Sequence, residues 1–259
     1  MNGTAPMDLF RRVFFAGLCL LAAAGGASAD EIKLLTAGAY RPVLNEVVPS
    51  FEKQSGHHVT IVNDTAGGLV RRIKGGEPFD LVILTEEALE KMQGERTIVD
   101  DSITPLAKVG IGVAVRLGAA TPDISTAEAF RRTLLAAHAV AYVDPASGGT
   151  SGLYLVQLFQ RLGILSEIRR KSVLVVGGLA AQRVASNEAD IALQQASEIL
   201  IVPGVRFIGP IPDVLQHYTT YSAAIGLRAG NSAAVTELIS WLASDELAPL
   251  LKAKGMDLP

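Results

Sequence analysis

The chain carries a single cysteine, Cys19, among its 259 residues. It lies in the amino-terminal leader described below, so the exported chain would hold none. That excludes disulfides, thiolate metal sites and cysteine nucleophiles. Aromatic residues are scarce at 5%, and the basic residues fall in short pairs, Arg71-Arg72, Arg131-Arg132 and Arg169-Arg170. Pairs without interleaved aromatics make a mixed, solvated surface rather than a nucleic-acid face. No apolar run reaches the roughly 20 residues of a membrane-spanning helix. His57-His58 opens a strand, where neighbours point to opposite faces and cannot chelate one ion together, and His138 and His217 stand alone. No metal site is expected, and no cofactor. Ser50-Phe51-Glu52-Lys53 matches the S-x-x-K string of penicillin-binding enzymes without its partner strings. The loop from Ser147 to Gly152 lacks the lysine of a phosphate-binding loop.

What is present begins with a leader. Arg11-Arg12, an apolar run from Val13 to Ala24, and Ala27-Ser28-Ala29 read together as a secretory signal over residues 1–29, cut before Asp30. The implied location is the periplasm. Loss of Arg11, Arg12 and Asp8 with the leader leaves 21 basic and 25 acidic residues in a soluble monomer.

The rest of the chain alternates short apolar strands with helical patterns. Strands are expected at Ile32 to Leu35, Val59 to Val62, Asp80 to Leu84, Val109 to Val115, Val140 to Val143, Ser172 to Val176 and Asp190 to Leu193. Helices are expected between them, including Pro42 to Gln54 with a kink at Pro49 and a stop at Gly56. Tyr218 to Leu227 reads as extended, and two helices close the chain. This rhythm predicts an α/β protein with mostly parallel sheets flanked by helices. In such sheets ligands sit beyond the carboxyl ends of the strands.

Four loops lie there. They are Thr36-Ala37-Gly38-Ala39, Thr65-Ala66-Gly67-Gly68, Ser147-Gly148-Gly149-Thr150-Ser151-Gly152 and Gln194-Gln195-Ala196-Ser197. Helix starts offer unpaired N–H groups and a partial positive charge. Glycines let a ligand approach the backbone, and hydroxyls add donors. The pattern predicts a small anion as ligand, although Ser, Thr and Gly are also ordinary caps.

The strings Thr36-Ala37-Gly38-Ala39, Thr65 through Ile83 and Glu188 through Gln195 resemble the molybdate-binding-protein-like family of periplasmic solute-binding proteins that serve ABC importers. The resemblance covers essentially all of the chain after Asp30. It implies a two-lobed (type II) binding-protein fold with the ligand gripped between lobes. Residues 30–112 with 222–259 would form one lobe and residues 113–221 the other. It places the ligand on Ala37, Gly38, Thr65, Ala66, Gly67, Ser147, Gly148, Gly149, Thr150, Ser151, Gln194 and Gln195. The molybdate proteins usually present serines in both early loops and a tyrosine where Gln194 stands. Losing those donors points away from molybdate and toward a carboxylate.

Two functions are therefore expected. The first is a receptor that delivers a small anion to an ABC permease, without turnover. The second follows from a related group that includes a periplasmic aconitate isomerase. It needs a base near neutral pKa and cations to clamp carboxylates, for which Arg41, Arg71 and Arg72 are candidates. Tyr40, Tyr154, Tyr221 and His217 are candidate proton carriers, none with a motif behind it.

Overall fold

The computed structural model describes residues 29–259, so the expected leader lies outside the described residues except for Ala29. The chain opens with β1 (Glu31–Ala37), α1 (Arg41–Ser55), β2 (His58–Asp64), α2 (Ala66–Lys74), β3 (Leu81–Thr85), α3 (Glu86–Gly94) and β4 (Thr104–Val109). It then crosses into β5 (Ile111–Arg116), α4 (Ala127–Ala136), β6 (Val140–Val143), α5 (Thr150–Arg161), α6 (Leu165–Arg170) and β7 (Ser172–Val175). The second sheet is completed around α7 (Ala181–Ala185), β8 (Ile191–Gln195), α8 (Ala196–Ile199) and β9 (Val205–Pro210). The chain returns through β10 (Thr219–Ile225), α9 (Ser232–Leu242), α10 (Ala248–Ala253) and β11 (Met256–Asp257).

Two sheets result, one per lobe. The first has the order β11-β4-β10-β3-β1-β2 and the second β7-β6-β8-β5-β9. Parallel pairing is confined to three strands in each, β2-β1-β3 and β7-β6-β8. Each sheet also takes a strand just after a crossing, β5 or β10, and that strand pairs antiparallel on both sides. The expectation of mostly parallel sheets holds for those centres only. A strand arriving from the other lobe runs opposite to strands wound by βαβ units.

Local sequence explains the elements. Thr65, Thr85 and Thr126 each cap a helix by accepting the N–H three residues on. Gly56 ends α1 at φ 77°, where a side chain would be strained. Helix α1 runs unbroken through Pro49. The expected strand Val109 to Val115 is divided at Gly110, where the chain leaves the first sheet.

The first lobe packs one core around Leu34, Leu35 and Leu81 to Leu84, covered by Val43, Leu44 and Phe51 of α1 and Leu238 of α9. In the second sheet residues alternate by period two. Val113, Tyr142 and Leu193 face Phe130, Leu158 and Phe159, while Ala114, Ala141 and Ala192 face Ala181, Val184 and Ile199. Small alanines on that second face let the short helices α7 and α8 lie close to the sheet. That packing sets α8 at the edge of the cleft.

Candidate functional site

A hollow of about 620 Å³ opens between the lobes. It sits at the carboxyl ends of β1 and β2 in one lobe and β6, β7 and β8 in the other. From the first lobe come Ala37 to Ala39, Arg41 and Asn45 on α1, and Asn63 to Ala66. From the second come Gly149 to Ser151, Gly177 to Leu179, Glu198 and Ile201, with Tyr221 on the returning strand. A hollow of about 560 Å³ at the opposite end of the first sheet includes Lys33 and Glu77, which pair with each other at 3.0 Å.

The wall at α5 presents the start of a helix. Its first backbone bond runs from the Leu153 N–H to the Gly149 carbonyl, so the N–H groups of Thr150, Ser151 and Gly152 precede it without helical partners. The turn at Gly38–Tyr40 presents a second such end at the start of α1. At α2 the hydroxyl of Thr65 accepts the Gly68 N–H, and the Gly67 N–H is already bonded to Gly148. Among the residues 65–68, that leaves Ala66 nearest the hollow with its amide free of those bonds.

Against these helix starts stands a carboxyl. Glu198, on the one-turn helix α8, leans over the first loop so closely that a Cβ on Gly38 would lie 2.6 Å from its Oε1. Glu198 is only partly buried, and desolvation pushes its pKa up to about 8, with a hydrogen bond from Gln194 pulling the other way. Tyr221 is fully buried, and its hydroxyl shares a hydrogen bond of 2.9 Å with Thr150 Oγ1. Its pKa is raised, by burial first and by the Glu198 charge second. Burial also raises Tyr40, whose hydroxyl has no partner among the described residues. Asn63 Oδ1, beside Glu198, is likewise unpartnered among the described residues.

The lobes are closed over the hollow. Thr65 Oγ1 donates to the Ser147 carbonyl at 2.7 Å, Arg71 Nη2 donates to the same oxygen at 3.1 Å, and the Gly67 N–H donates to Gly148 O at 3.0 Å. On the other side, Ser197 Oγ donates to Ala39 O at 2.8 Å.

Of the residues expected to meet ligand, Ala37, Gly38, Arg41, Thr65, Ala66, Gly149, Thr150 and Ser151 line the hollow. Gly67, Ser147, Gly148 and Arg71 do not. They form the seam between lobes, because the second glycine loop folds directly onto the third. The Ser147 hydroxyl turns back to Asp144 O at 2.7 Å. Gln194 and Gln195 are buried instead of lining the hollow. Gln194 accepts the Ala180 N–H and donates to Gly178 O, bracing the turn that does line it. Gln195 donates to Thr219 Oγ1 at 3.1 Å. Arg72 is no clamp, since Glu77 holds it through both Nε and Nη2. Tyr154 and His217 stack on each other at 4.6 Å, and the Tyr154 hydroxyl bonds Leu215 O, outside the hollow. Only Tyr221 of the four proposed proton carriers lines it. The sequence reading missed Glu198, Asn63 and the Gly177 to Leu179 turn. Glu198 did leave a trace, as a lone acid within Ala196-Ser197-Glu198-Ile199-Leu200-Ile201.

Two α/β lobes closing on a polar cleft of helix starts define a solute-binding protein of the two-lobed class. The chain belongs to the family described as bacterial extracellular solute-binding proteins, which matches residues 32–257. It is 33% identical over 249 residues to an aconitate isomerase from a Pseudomonas species, covering 93% of this chain and 94% of that protein. It is 25% identical over 252 residues to the molybdate-binding protein of Escherichia coli strain K12, covering 94% and 96%. Among solved structures, the periplasmic molybdate-binding protein of Azotobacter vinelandii superposes with a TM-score of 0.73 at 22% identity, covering 88% of this chain and 99% of that one. Among the described residues no helix is long and apolar enough to cross a membrane.

Proposed function

We propose that this chain, exported to the periplasm, binds a small unsaturated polycarboxylate in the cleft and moves a proton along it, interconverting isomers of the aconitate type. The observation that carries this reading is Glu198, a carboxyl set into an anion cleft against Gly38 with a pKa pushed up to about 8. A passive anion receptor gains nothing from a group that repels its ligand once ionised. A base poised near neutral pH is what an allylic proton shift requires. The 33% identity to an aconitate isomerase supports the same reading.

The chemistry needs no cofactor. The starts of α5 and α1, with Arg41, hold the substrate carboxylates. Ionised Glu198 takes a proton from the methylene carbon. The C–H electron pair spreads over the adjacent double bond and carboxylates, where the helix ends stabilise the added charge. The conformation in which the site holds the former methylene arm fixes the geometry of the new double bond. Glu198 then returns the proton to the far carbon of the three-carbon unit, and the double bond re-forms. No atom is gained or lost. Tyr221, held by Thr150, orients the α5 end of the site.

Incubation of the purified protein with trans-aconitate in deuterated water tests this. Cis-aconitate should accumulate with partial deuteration, followed by proton NMR. Binding of trans-aconitate without any conversion would leave the second reading, a receptor that hands a carboxylate to an ABC permease. That reading is favoured by the family and by the closed seam between the lobes.

A further inference from the structure

We propose that Gly38 is the positioning residue for Glu198: the side chain missing at position 38 is the space in which that carboxyl lies. The activity arm of this inference rests on the function proposed above.

Three observations lead to it. A Cβ built on Gly38 would meet Glu198 Oε1 at 2.6 Å, its Cδ at 3.6 Å and Asn63 Oδ1 at 3.9 Å. A real Cβ does not approach an oxygen so closely. Backbone conformation does not demand glycine here, because Gly38 is absent from the residues with positive φ. What a side chain at this position would meet is the carboxyl above it. Finally, the two residues come from opposite lobes yet are pinned together. Ser197 Oγ donates to Ala39 O at 2.8 Å, so the residues adjacent to the pair lock α8 onto the first loop.

The atom that a Cβ would displace is the far end of a flexible side chain, not backbone. An alanine at 38 therefore leaves the fold and the neighbouring N–H groups in place and moves the carboxyl alone. Displacement by about 1 Å is enough to matter, since misplacement on that scale can cost on the order of a hundredfold in rate. The titratable groups sharing the hollow are Arg41 on α1, Asp64 at the end of β2 and Tyr221 on β10. None of them is itself substituted, and of the three Tyr221 is the one that feels the Glu198 charge.

The experiment compares the wild-type chain with Gly38→Ala, Glu198→Asp and the double variant. Trans-aconitate is the probe. Gly38→Ala should lower kcat about ten- to a hundredfold while KM stays within about threefold, the signature of a lost transition-state contact. Asp is one methylene shorter, so it fits beneath an alanine Cβ. The double variant should recover several-fold over the product of the two single losses. A second readout needs no turnover: the carboxyl ¹³C titration of Glu198, assigned with Glu198→Gln. Its inflection near pH 8 in the wild type should move down in Gly38→Ala as the carboxyl swings toward water. If the wild type converts no trans-aconitate, the proposed function fails and the ¹³C titration alone judges Gly38. Wild-type kcat and an unmoved inflection in Gly38→Ala would overturn the inference, and so would single losses that merely multiply in the double variant.

Discussion

Glu198→Gln removes the titrating proton and keeps the shape of the side chain, so it separates binding, turnover and stability in one variant. The carboxyl is held up to about 8 in the folded chain, against an ordinary value of 4.5. Between those two values the folded state keeps a proton that the unfolded state has released. Stability should therefore fall as pH rises through that window and level off above it. Each pKa unit corresponds to about 1.36 kcal/mol, so the whole shift would be about 5 kcal/mol as an upper limit. Glu198 borders a hollow open to water, and screening there reduces the penalty to about 2–3 kcal/mol. Gln pays no ionisation penalty. The variant should match the wild type at about pH 4, and above about pH 8 it should melt higher by roughly 5–10 °C for a chain of this size. Turnover of trans-aconitate should drop about a hundred- to ten-thousandfold with the base gone. Affinity should be kept, because the helix ends that hold the carboxylates are untouched. Thermal melts across pH, with NMR turnover on the same samples, measure both. Parallel melting curves for variant and wild type would refute the raised pKa of the carboxyl in the cleft. Unchanged turnover would refute its role as base.

Three further substitutions test the cleft and its seam. Ser151→Ala removes a hydroxyl at the start of α5, where it lines the hollow; trans-aconitate affinity by calorimetry should weaken about ten- to a hundredfold, as hydrogen bonds to charged groups contribute about 1.5–3 kcal/mol. Gly148→Ala places a Cβ 2.6 Å from the Gly67 Cα at φ 79°; small-angle scattering should show a radius of gyration that no longer contracts with ligand, and affinity should fall at least about tenfold as closure is blocked. Thr65→Val loses both the cap of α2 and the bond to the Ser147 carbonyl; the melting temperature should drop by roughly 3–8 °C, from about 1–2 kcal/mol of capping and seam stability.

The sequence by itself determined the class of fold and most of one wall of the site. Period-two and helical spacings, with Gly56 and the threonine caps, mark elements because those are local backbone preferences. The glycine- and hydroxyl-bearing loops are legible for the same reason: helix starts have their own chemistry, wherever they end up. The direction of β5 and β10 was beyond local reading, since strand direction is set by a partner far along the chain. Which glycine loop would hold ligand was also beyond local reading. Gly67 and Gly148 meet each other at the seam, while Gly149 and Thr150, one and two residues further on, open into the hollow. Arg71 and Arg72 look alike in sequence, but one reaches Ser147 and the other is held by Glu77. Only the tertiary structure brought Glu198 over Gly38, across 160 positions of chain and from the opposite lobe. The sequence reading favoured binding without turnover because it could name no base. In the proposed reading that base is Glu198, whose pKa is raised by desolvation that only the folded chain provides.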